Sequence, residues 1–505
     1  MESHYLFTLL LFCCFLPNVS VQSLEFFVSN DGSDSWDGTA ESNVAGSDVG
    51  PWKTMHHAID EIRLMRPNPP TAEDHATLSV LPGKHVLPSE LFLDGRDSFM
   101  TIRALYDDDE TAISGAVYLT GEWTQEEGDI LTTTFQGSCG EAFVSTQRLV
   151  PARSPNLEEI SPNMNLALPP YNTVKGLLVE TETCTRNSTS FQQSCPDEDR
   201  NGFIFSDEFS SNWTYLDQTR VLVFHSWIAE YVTVSNITEN KVFFQEPLQH
   251  APIGTYVPSS GWRFLIFNNF ALLDMPGEYV CNDLGDGRAQ FSYIPLEAQD
   301  PDLNVAVSQL QGLVNINQAT NILLEGFLFE RSSSMGVDGY RSCGETAVGI
   351  SSSQNIVITD SKFRQIGITG VCIAESSNVQ ITRSVFTDIG YHGVMGFYNS
   401  ESEMESNVDI MVDNNRFDGC GISSFWQPSC VWMAGYDNLT VRHNDLSNDP
   451  FALFRIRSHT PHGADYWDDV VEPTRDDYVF HVEFNHFHEY GLGILSDFGA
   501  VYIGT

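Results

Sequence analysis

A repeated segment in the C-terminal half of the chain most constrains its fold. Five of its six copies open on asparagine at intervals of 23 to 34 residues. Apolar side chains follow one and three residues later, which is the alternation of a β-strand, and the period is typical of solenoids. The copies are NILLEGFLF from Asn321, NIVITDSKF from Asn355, NVQITRSVF from Asn378, NVDIMVDNNRF from Asn407, NLTVRHNDL from Asn438 and VFHVEFNHF from Val479.

A bulky apolar residue closes each copy eight residues after its start, with one exception. Phe417 comes two residues late, which predicts a bulge beside Asn414. Stacking the copies about 4.8 Å apart would align the closing residues in an inward column and the opening asparagines in a hydrogen-bonded ladder. An ordinary β-sandwich gives no reason for a constant offset, so we predict an all-β solenoid. The closing residues are Phe329, Phe363, Phe386, Phe417, Leu446 and Phe487.

The N-terminus has the pattern of a signal peptide over residues 1–23. An apolar run from Tyr5 to Leu16 precedes the small-residue site Val21-Gln22-Ser23. No later run approaches the 18 apolar residues of a membrane span. We therefore expect a secreted protein without a membrane span.

Cysteines and glycosylation sequons fit a secreted protein. Eight cysteines follow the signal peptide, and an even number in an oxidising compartment suggests disulfides. Sequence spacing favours the pairs Cys184–Cys195 and Cys420–Cys430, although connectivity cannot be deduced from sequence. Asn438 also belongs to the predicted ladder, so an inward-facing side chain is the alternative to glycosylation there. The sequons are at Asn187, Asn212, Asn236 and Asn438.

The chain is strongly acidic. Its net charge is −43, from 68 acidic and 25 basic residues. Such a balance argues against nucleic acid and other polyanionic partners, because like charges must be forced together. It permits calcium, which takes carboxylate oxygens as ligands.

The start of the mature chain predicts a strand, an acidic turn and one helix. EFFVSNDGSDSWDG from Glu25 is followed by PWKTMHHAIDEIR, which has a helical apolar pattern and predicts a helix from about Pro51 to Arg66. This opening resembles the entry and capping helix of right-handed parallel β-helix proteins of the pectate-lyase-like superfamily.

Three stretches are similar to one branch of that superfamily. ARSPN, ending at Asn156, and LDMPGEYV, from Leu273, resemble its "ARxPN" and "LDxPGEWY" stretches. The end of the chain, HVEFNHFHEYGLGILSDFGAVYIGT from His481, resembles its "IEyNeIHdv…DxGAiYtGR" stretch. The branch includes fucosidase- and xylanase-type glycoside hydrolases. A turn formed by Pro-Gly-Glu is the alternative role for the LDMPGEYV residues.

The resemblance implies a division of the mature chain into three parts. Residues 24–114 would form the entry, the capping helix and the first rungs, and residues 115–300 a β-rich insert. Residues 301–505 would form the main right-handed parallel β-helix. Because the sequence stops inside a rung and solenoids need covered ends, we expect the natural protein to extend beyond Thr505.

Acidic residues follow the closing column, where the chain turns onto its next strand. Carboxylates one or two rungs apart would be about 5 or 10 Å apart at the backbone, which brackets the carboxyl separations of glycosidases. Asp497 also coincides with an Asp of the resembling family, and Asp449 precedes it by one rung. We predict Asp497 and Asp449 as catalytic residues. The predicted substrate-binding residues are His488, Glu489, Glu483, His392 and Tyr502.

Three functions are compatible with these features. The first is a glycoside hydrolase on a neutral or weakly charged polysaccharide or glycoprotein glycan, needing no cofactor. The second is a calcium-dependent polysaccharide lyase, for which Arg455 and Arg457 are the candidate bases. The third is a non-catalytic acidic glycoprotein of an extracellular or mineralised matrix, binding calcium or a mineral surface. No set of histidines and cysteines with zinc-site spacing stands out in the sequence.

Overall fold

A computed structural model of the chain describes residues 24–106, 111–158, 165–178, 185–186, 193–194, 201–205, 213–225, 228–238, 240–248, 262–296, 304–334, 343–397, 407–434, 436–457, 479–495 and 498–504. The predicted signal peptide lies outside the described residues. Within these ranges, no helix has the length and hydrophobicity needed to cross a membrane.

Three long parallel sheets, each built from successive turns of the chain, form the main body. The first sheet contains Leu24–Val28, Ala76–Val80, Met100–Ala104, Thr320–Glu325, Gln354–Thr359, Ser377–Thr382, Asn407–Asp413, Tyr436–Arg442 and Phe480–Glu483. The second contains Gly83–Val86, Thr111–Ser114, Leu328–Glu330, Lys362–Ile366, Val385–Ile389, Arg416–Asp418, Asp445–Asp449 and His486–Tyr490. The third contains Leu91–Leu93, Val314–Asn317, Val348–Ser351, Val371–Ala374, Val394–Phe397, Ser429–Ala434, Ala452–Arg457 and Gly499–Gly504. This is the predicted parallel β-helix.

The closing residues stack in register along the second sheet, as predicted. Phe363 pairs with Phe386, and Phe386 with Phe417. Their rings are stacked with centroids 4.5 and 4.6 Å apart, and all three side chains are fully buried. The column continues through Leu446 to Phe487. Dispersion between aligned apolar side chains therefore holds successive rungs together.

The asparagine ladder forms, but Asn407 is not part of it. Asn355 donates to Asn321 at 3.1 Å and Asn378 donates to Asn355 at 2.7 Å. On the next rung Asp409 takes the place, with a left-handed φ of 55° like its neighbours in the ladder. Asn438 then donates to Asp409.

The predicted bulge beside Asn414 is therefore wrong. Asp409 precedes Phe417 by the usual eight residues, and the two extra residues of this rung come before the ladder position. The side chain of Asn407 is buried and accepts a hydrogen bond from the Ser376 amide. An asparagine that starts a strand and one that occupies the left-handed ladder position look alike in sequence, and only pairing with the next rung separates them.

One α-helix, Met55–Met65, covers the entry of the β-helix within the described residues. It is shorter than predicted, because Thr54 is its N-cap and accepts from the His57 amide, so Pro51 precedes it. Its buried face includes Met55, Ala58 and Ile59. Short 3₁₀ turns occur at Ala72–Asp74, Gly95–Asp97, Leu216–Gln218, Phe270–Leu272 and Cys343–Glu345.

Residues 116–308 interrupt the coil with mainly antiparallel sheets, here called the insert. One sheet contains Gln147–Arg148, Ala142–Val144, Val305–Ser308 and Ala116–Tyr118. A second contains Val150–Pro151, Glu278–Asp283, Arg288–Tyr293, Leu131–Gln136 and Thr124–Gln125. A third contains Arg153–Ser154, Arg263–Phe267, Asn172–Leu177, Gly202–Phe205, Lys241–Phe244, Ala229–Thr238 and Arg220–Phe224, and a short pair joins Thr185–Arg186 to Gln193–Ser194.

The insert packs on the turns that lead from the second sheet to the third. Phe224 and Phe267 of the insert share one buried cluster with Phe425, Phe451 and Ile494 of the β-helix, among others. The two parts therefore share core as well as chain connections.

Two disulfides form among the described cysteines, Cys139–Cys281 and Cys343–Cys372. The predicted Cys420–Cys430 bond does not form, and both thiols are free and buried. Nearness in sequence suggested the pair, and the fold does bring the two sulfurs within 4.8 Å of each other, one on a turn after the second sheet and one on a strand of the third, but without a bond between them. Cys184 and Cys195 lie outside the described residues.

Candidate functional site

A cavity of about 330 Å³ lies between the insert and the turns of the β-helix. Its lining includes Glu141, Asp283 and Tyr279 from the insert and Ser334 from the β-helix. Ligand sites are typically concave, with a few polar groups converging on an otherwise apolar lining, and this volume is at the low end of their usual range. The cavity is therefore the candidate functional site.

Glu141 is the most tightly held acid of this cavity. Its carboxylate accepts the backbone N–H of Ser334 at 3.0 Å and the hydroxyls of Ser308 and Ser334. The Nη1 atom of Arg148 lies 3.8 Å from Oε1. Glu141 directly precedes the strand Ala142–Val144. Its hydrogen-bond donors come from both the insert and the β-helix. Its orientation thus depends on the docking of the two parts.

Arg148 connects Glu141, which lines the cavity, to Asp388, which does not. Its Nε donates to Asp388 Oδ1 at 2.9 Å, and its Nη2 donates to the carbonyls of Ile366 and Asp388. Burial alone lowers the pKa of Arg148, but the Asp388 and Glu141 carboxylates outweigh it and raise that pKa overall. Arg148 is therefore a fixed positive charge, and breaking one side of such a pair leaves a buried charge without a partner.

The Cys139–Cys281 disulfide joins the segment that carries Glu141 to the segment that carries Asp283. Glu141 lies two residues after Cys139, and Asp283 two residues after Cys281. The Cys139 amide donates to Asp283 Oδ1 at 2.9 Å. The disulfide and this hydrogen bond therefore hold Glu141 and Asp283 on the same side of the cavity. Asp217, an exposed acid, also borders the cavity.

Two tyrosines add aromatic surface to the lining. Tyr279 is buried, and its hydroxyl donates to the Gly140 carbonyl at 3.3 Å. Burial raises the pKa of this phenol, so it stays neutral. Tyr231 is half-buried and its hydroxyl donates to the Ser423 carbonyl at 3.1 Å, which links the insert to the β-helix.

The acids that follow the closing column do not share one column of their own. Asp418 pairs with Ser447 and Asp449 pairs with Tyr490, while Asp388 stands at the left-handed position of its rung with a φ of 54°. Asp388, Asp418 and Asp449 therefore do not occupy equivalent positions on successive rungs, whereas the expectation for Asp449 and Asp497 stays a prediction because Asp497 lies outside the described residues. The pairing register of the strands in the second sheet, which the sequence does not show directly, places the three described acids at different positions of their rungs.

Asp449 is fully buried and does not border the cavity. Its Oδ1 accepts the backbone N–H groups of Phe451 and Ala452 at 2.7 and 2.9 Å. Burial raises the pKa of its carboxyl well above the usual range. Asp497, its predicted partner, lies outside the described residues. The catalytic role of this pair stays a prediction.

The five predicted substrate-binding residues are on different faces. His488 and Glu489 are on the second sheet, with His488 Nε2 3.2 Å from Asp445, whereas Glu483 ends a strand of the first sheet. Tyr502 is on the third sheet and its ring lies 5.3 Å from that of Phe451. None of these four borders the cavity.

His392, the fifth, is buried inside the fold. Its ring stacks on that of Trp432 at 5.3 Å, and its Nδ1 pairs with the backbone of Ser429. Burial lowers its pKa to about 3, so it is a neutral core residue.

The two family-like stretches of the insert contact each other. Asn156 donates to Asp274 at 2.6 Å, and the Arg153 amide donates to Glu278 at 3.3 Å. Glu278 also accepts from the Met275 amide, which closes the Pro-Gly-Glu turn. Asn156, Asp274, Arg153 and Glu278 join strands of the insert and do not border the cavity, whereas Tyr279 of the second stretch does. Their structural role agrees with the turn alternative.

The remaining predicted positions are only partly described. Asn236 and Asn438 are exposed, whereas Asn187 and Asn212 lie outside the described residues. Arg455 donates to the Gln427 carbonyl at 3.4 Å and lies over the Trp432 ring.

Glu141 and Asp283 were missed from the sequence, and Tyr279 was noticed only as part of the LDMPGEYV stretch. Each precedes the repeats by a long distance along the chain, and only the docked insert brings them to the β-helix. Their position two residues from Cys139 or Cys281 would have been a signal only with the disulfide known.

Comparisons with known proteins support the fold. A family model described as "Right handed beta helix region" matches residues 310–462. A solved structure titled "Glycoside hydrolase" has a TM-score of 0.63 at 14% sequence identity, over 87% of this chain and 84% of that one. A structure of "XylC with xylose" has a TM-score of 0.44 at 11% identity, over 86% and 60%. No curated protein matches the sequence. The chain is a right-handed parallel β-helix protein.

Proposed function

We propose that the protein is a secreted glycoside hydrolase that binds a neutral glycan in the cavity between the insert and the β-helix. The observation that carries this proposal is the set of carboxylates from Glu141, Asp283 and Asp217 around one cavity with tyrosine walls. Glycoside hydrolysis uses two carboxyl groups on either side of the scissile bond, and aromatic rings offer apolar surface to sugar rings.

Glu141 is the proposed first catalytic carboxylate. A carboxylate that acts on a glycosidic bond must be held in place, and hydrogen bonds from Ser308 and Ser334 hold this one. Asp283 and Asp217 are its candidate partners on the same lining. The acidic net charge of −43 disfavours uronate polymers as substrates, because the polymer and the protein repel.

Secretion is part of the proposal. The Cys139–Cys281 and Cys343–Cys372 disulfides support an oxidising compartment. Exposed Asn236 and Asn438 lie in sequons and are proposed glycosylation sites. Protein recovered from the medium should lose mass when its N-glycans are removed enzymatically.

The proposal is tested on a panel of neutral and acidic glycans with and without a chelator. Release of reducing ends from a neutral glycan, unaffected by chelator, is the expected result. Glu141→Gln should lower that rate by at least about 10²-fold, the usual contribution of a positioned acid or base. Asp360→Asn is the matched control, since Asp360 pairs with exposed Arg383 on the turn between the first and second sheets.

Other outcomes identify the alternatives. Unsaturated products from a uronate polymer, lost with chelator, would show a lyase instead. Calcium binding without cleavage of any glycan would support the matrix protein. If Glu141→Gln cleaved at the wild-type rate, the reaction would lie elsewhere on the β-helix, and the Asp449–Asp497 prediction would be the next to test with Asp449→Asn.

A further inference from the structure

A cluster of two thiols and a carboxyl lies inside the β-helix, where the second sheet turns into the third. Cys420 follows the strand Arg416–Asp418, Cys430 is in Ser429–Ala434, and Asp449 ends a strand on the next rung. Their sulfur and oxygen atoms all lie within 4.8 Å of one another. All three residues are fully buried.

The carboxyl group of Asp449 is only half satisfied. Its Oδ1 accepts two backbone N–H groups, but its Oδ2 is buried without a hydrogen-bond partner. A buried polar atom without a partner is costly and is often explained by an ion or water at the site.

The two sulfurs lie beside each other without a disulfide, whereas cysteines form disulfides at two other places in the described chain. A cation that binds both sulfurs would keep them from oxidising. We propose that Cys420, Cys430 and Asp449 bind one borderline-soft divalent cation of the zinc class.

The donor chemistry selects this class of ion. Zinc binds thiolate sulfur at about 2.3 Å and carboxylate oxygen at about 2.0–2.2 Å, commonly with four ligands. One ion fits between donor atoms this close together after small side-chain adjustments. Calcium and magnesium prefer oxygen ligands and do not suit two sulfurs. The Cys430 thiol donates to the Ser447 carbonyl at 3.8 Å, so this carbonyl borders the site, and it or a water would supply a fourth ligand.

Binding would exchange protons for the ion. Thiolates and a carboxylate are the forms that bind such an ion, so up to three protons would leave the two thiols and the Asp449 carboxyl as it enters. Affinity therefore falls as the pH falls. The site would tie a turn of one rung to strands of the third sheet and of the next rung, which is a stabilising role independent of glycan cleavage.

A second, partly exposed cluster serves as the control. Asp445 lies 2.9 Å from His486 Nδ1 and 3.2 Å from His488 Nε2 on the outer face of the second sheet. Its groups already pair with one another, and it contains no sulfur. Adventitious binding to the chain would be expected here and would give no thiolate signal.

The test titrates Co²⁺ into the whole, anaerobically purified protein and follows the sulfur-to-cobalt charge-transfer absorption. One equivalent should give a thiolate band with tetrahedral ligand-field absorption, and Zn²⁺ should abolish both and raise the melting temperature. Cys430→Ser should weaken the band and Asp449→Asn should weaken binding at least tenfold. The double variant His486→Ala/His488→Ala should keep the wild-type band.

Three results would overturn the proposal. One is a Cys420–Cys430 disulfide in the native protein by mass spectrometry, and another is Co²⁺ binding without a thiolate band. The third is metal binding that only the histidine variant removes. If the cysteine variant does not fold, the wild-type spectrum and its zinc-dependent melting temperature still decide the question.

Discussion

Glu278 is a buried carboxyl whose titration should affect stability between pH 4.5 and 7. Burial raises its pKa from 4.5 to about 7. In this window the unfolded chain is ionised while the folded chain must keep the proton, so stability falls as the pH rises. Glu278→Gln should remove up to about 3 kcal/mol of that fall.

The measurement is urea unfolding of wild type and Glu278→Gln at pH 4.5, 6 and 8. The difference in the free energy of unfolding should grow in favour of the variant as pH rises, then level off above pH 7. Asp286→Asn, an exposed acid paired with Arg288, is the control and should show no such trend over this range. A constant difference between wild type and Glu278→Gln would contradict the account.

At the residue scale, the sequence predicts the role of residues that recur at the same position in each repeat. The phenylalanine column was visible because Phe363 and Phe386 recur at one offset, and a stacked column needs only that offset. Asp409 was missed as a ladder residue because the prediction followed asparagine identity, whereas the ladder needs any side chain that bonds to its neighbour and tolerates a left-handed φ. Glu141 was missed because it belongs to no repeat.

At the element scale, the central strands of the second sheet depend on ring stacking. Phe386 lies between Phe363 and Phe417 and is fully buried. Phe386→Ala should cost about 3–5 kcal/mol, because the stacked rings on either side limit collapse of the cavity. Val385→Ala, the outward neighbour with 36% of its surface exposed, is the matched control and should cost much less. A loss below about half a kcal/mol for Phe386→Ala, measured by chemical unfolding, would refute the stacking.

The Cys139–Cys281 disulfide should affect both stability and glycan binding. It closes a loop with a sequence separation of 142 residues and fixes the segments of Glu141 and Asp283. The double variant Cys139→Ser/Cys281→Ser should lose about 2–5 kcal/mol and bind glycan more weakly. Cys343→Ser/Cys372→Ser is the control, because that disulfide does not border the cavity. Scanning calorimetry measures the stability of the two double variants, and titration calorimetry measures their affinity for glycan. Equal effects of the two variants on glycan affinity would contradict the placement of the site.

At the scale of the whole molecule, the β-helix and its capping helix were predictable, and the docking of the insert was not. A solenoid shows its architecture through local repeats, since each rung contacts only its neighbours. The cavity arises from contacts such as Arg148 with Asp388, 240 residues apart in sequence. No local sequence pattern indicates a contact between residues so far apart in the chain. The fold could therefore be predicted from the sequence, but the cavity could not.

The proposed glycan site is the cavity between the insert and the β-helix. Its most direct test is a crystal structure of Glu141→Gln with a bound oligosaccharide that the wild type cleaves. A sugar ring is expected in the cavity, in contact with Tyr231 or Tyr279, with the glycosidic oxygen beside residue 141. A sugar bound on the outer face of the third sheet, beside Trp432 and Arg455, with the cavity empty, would contradict it.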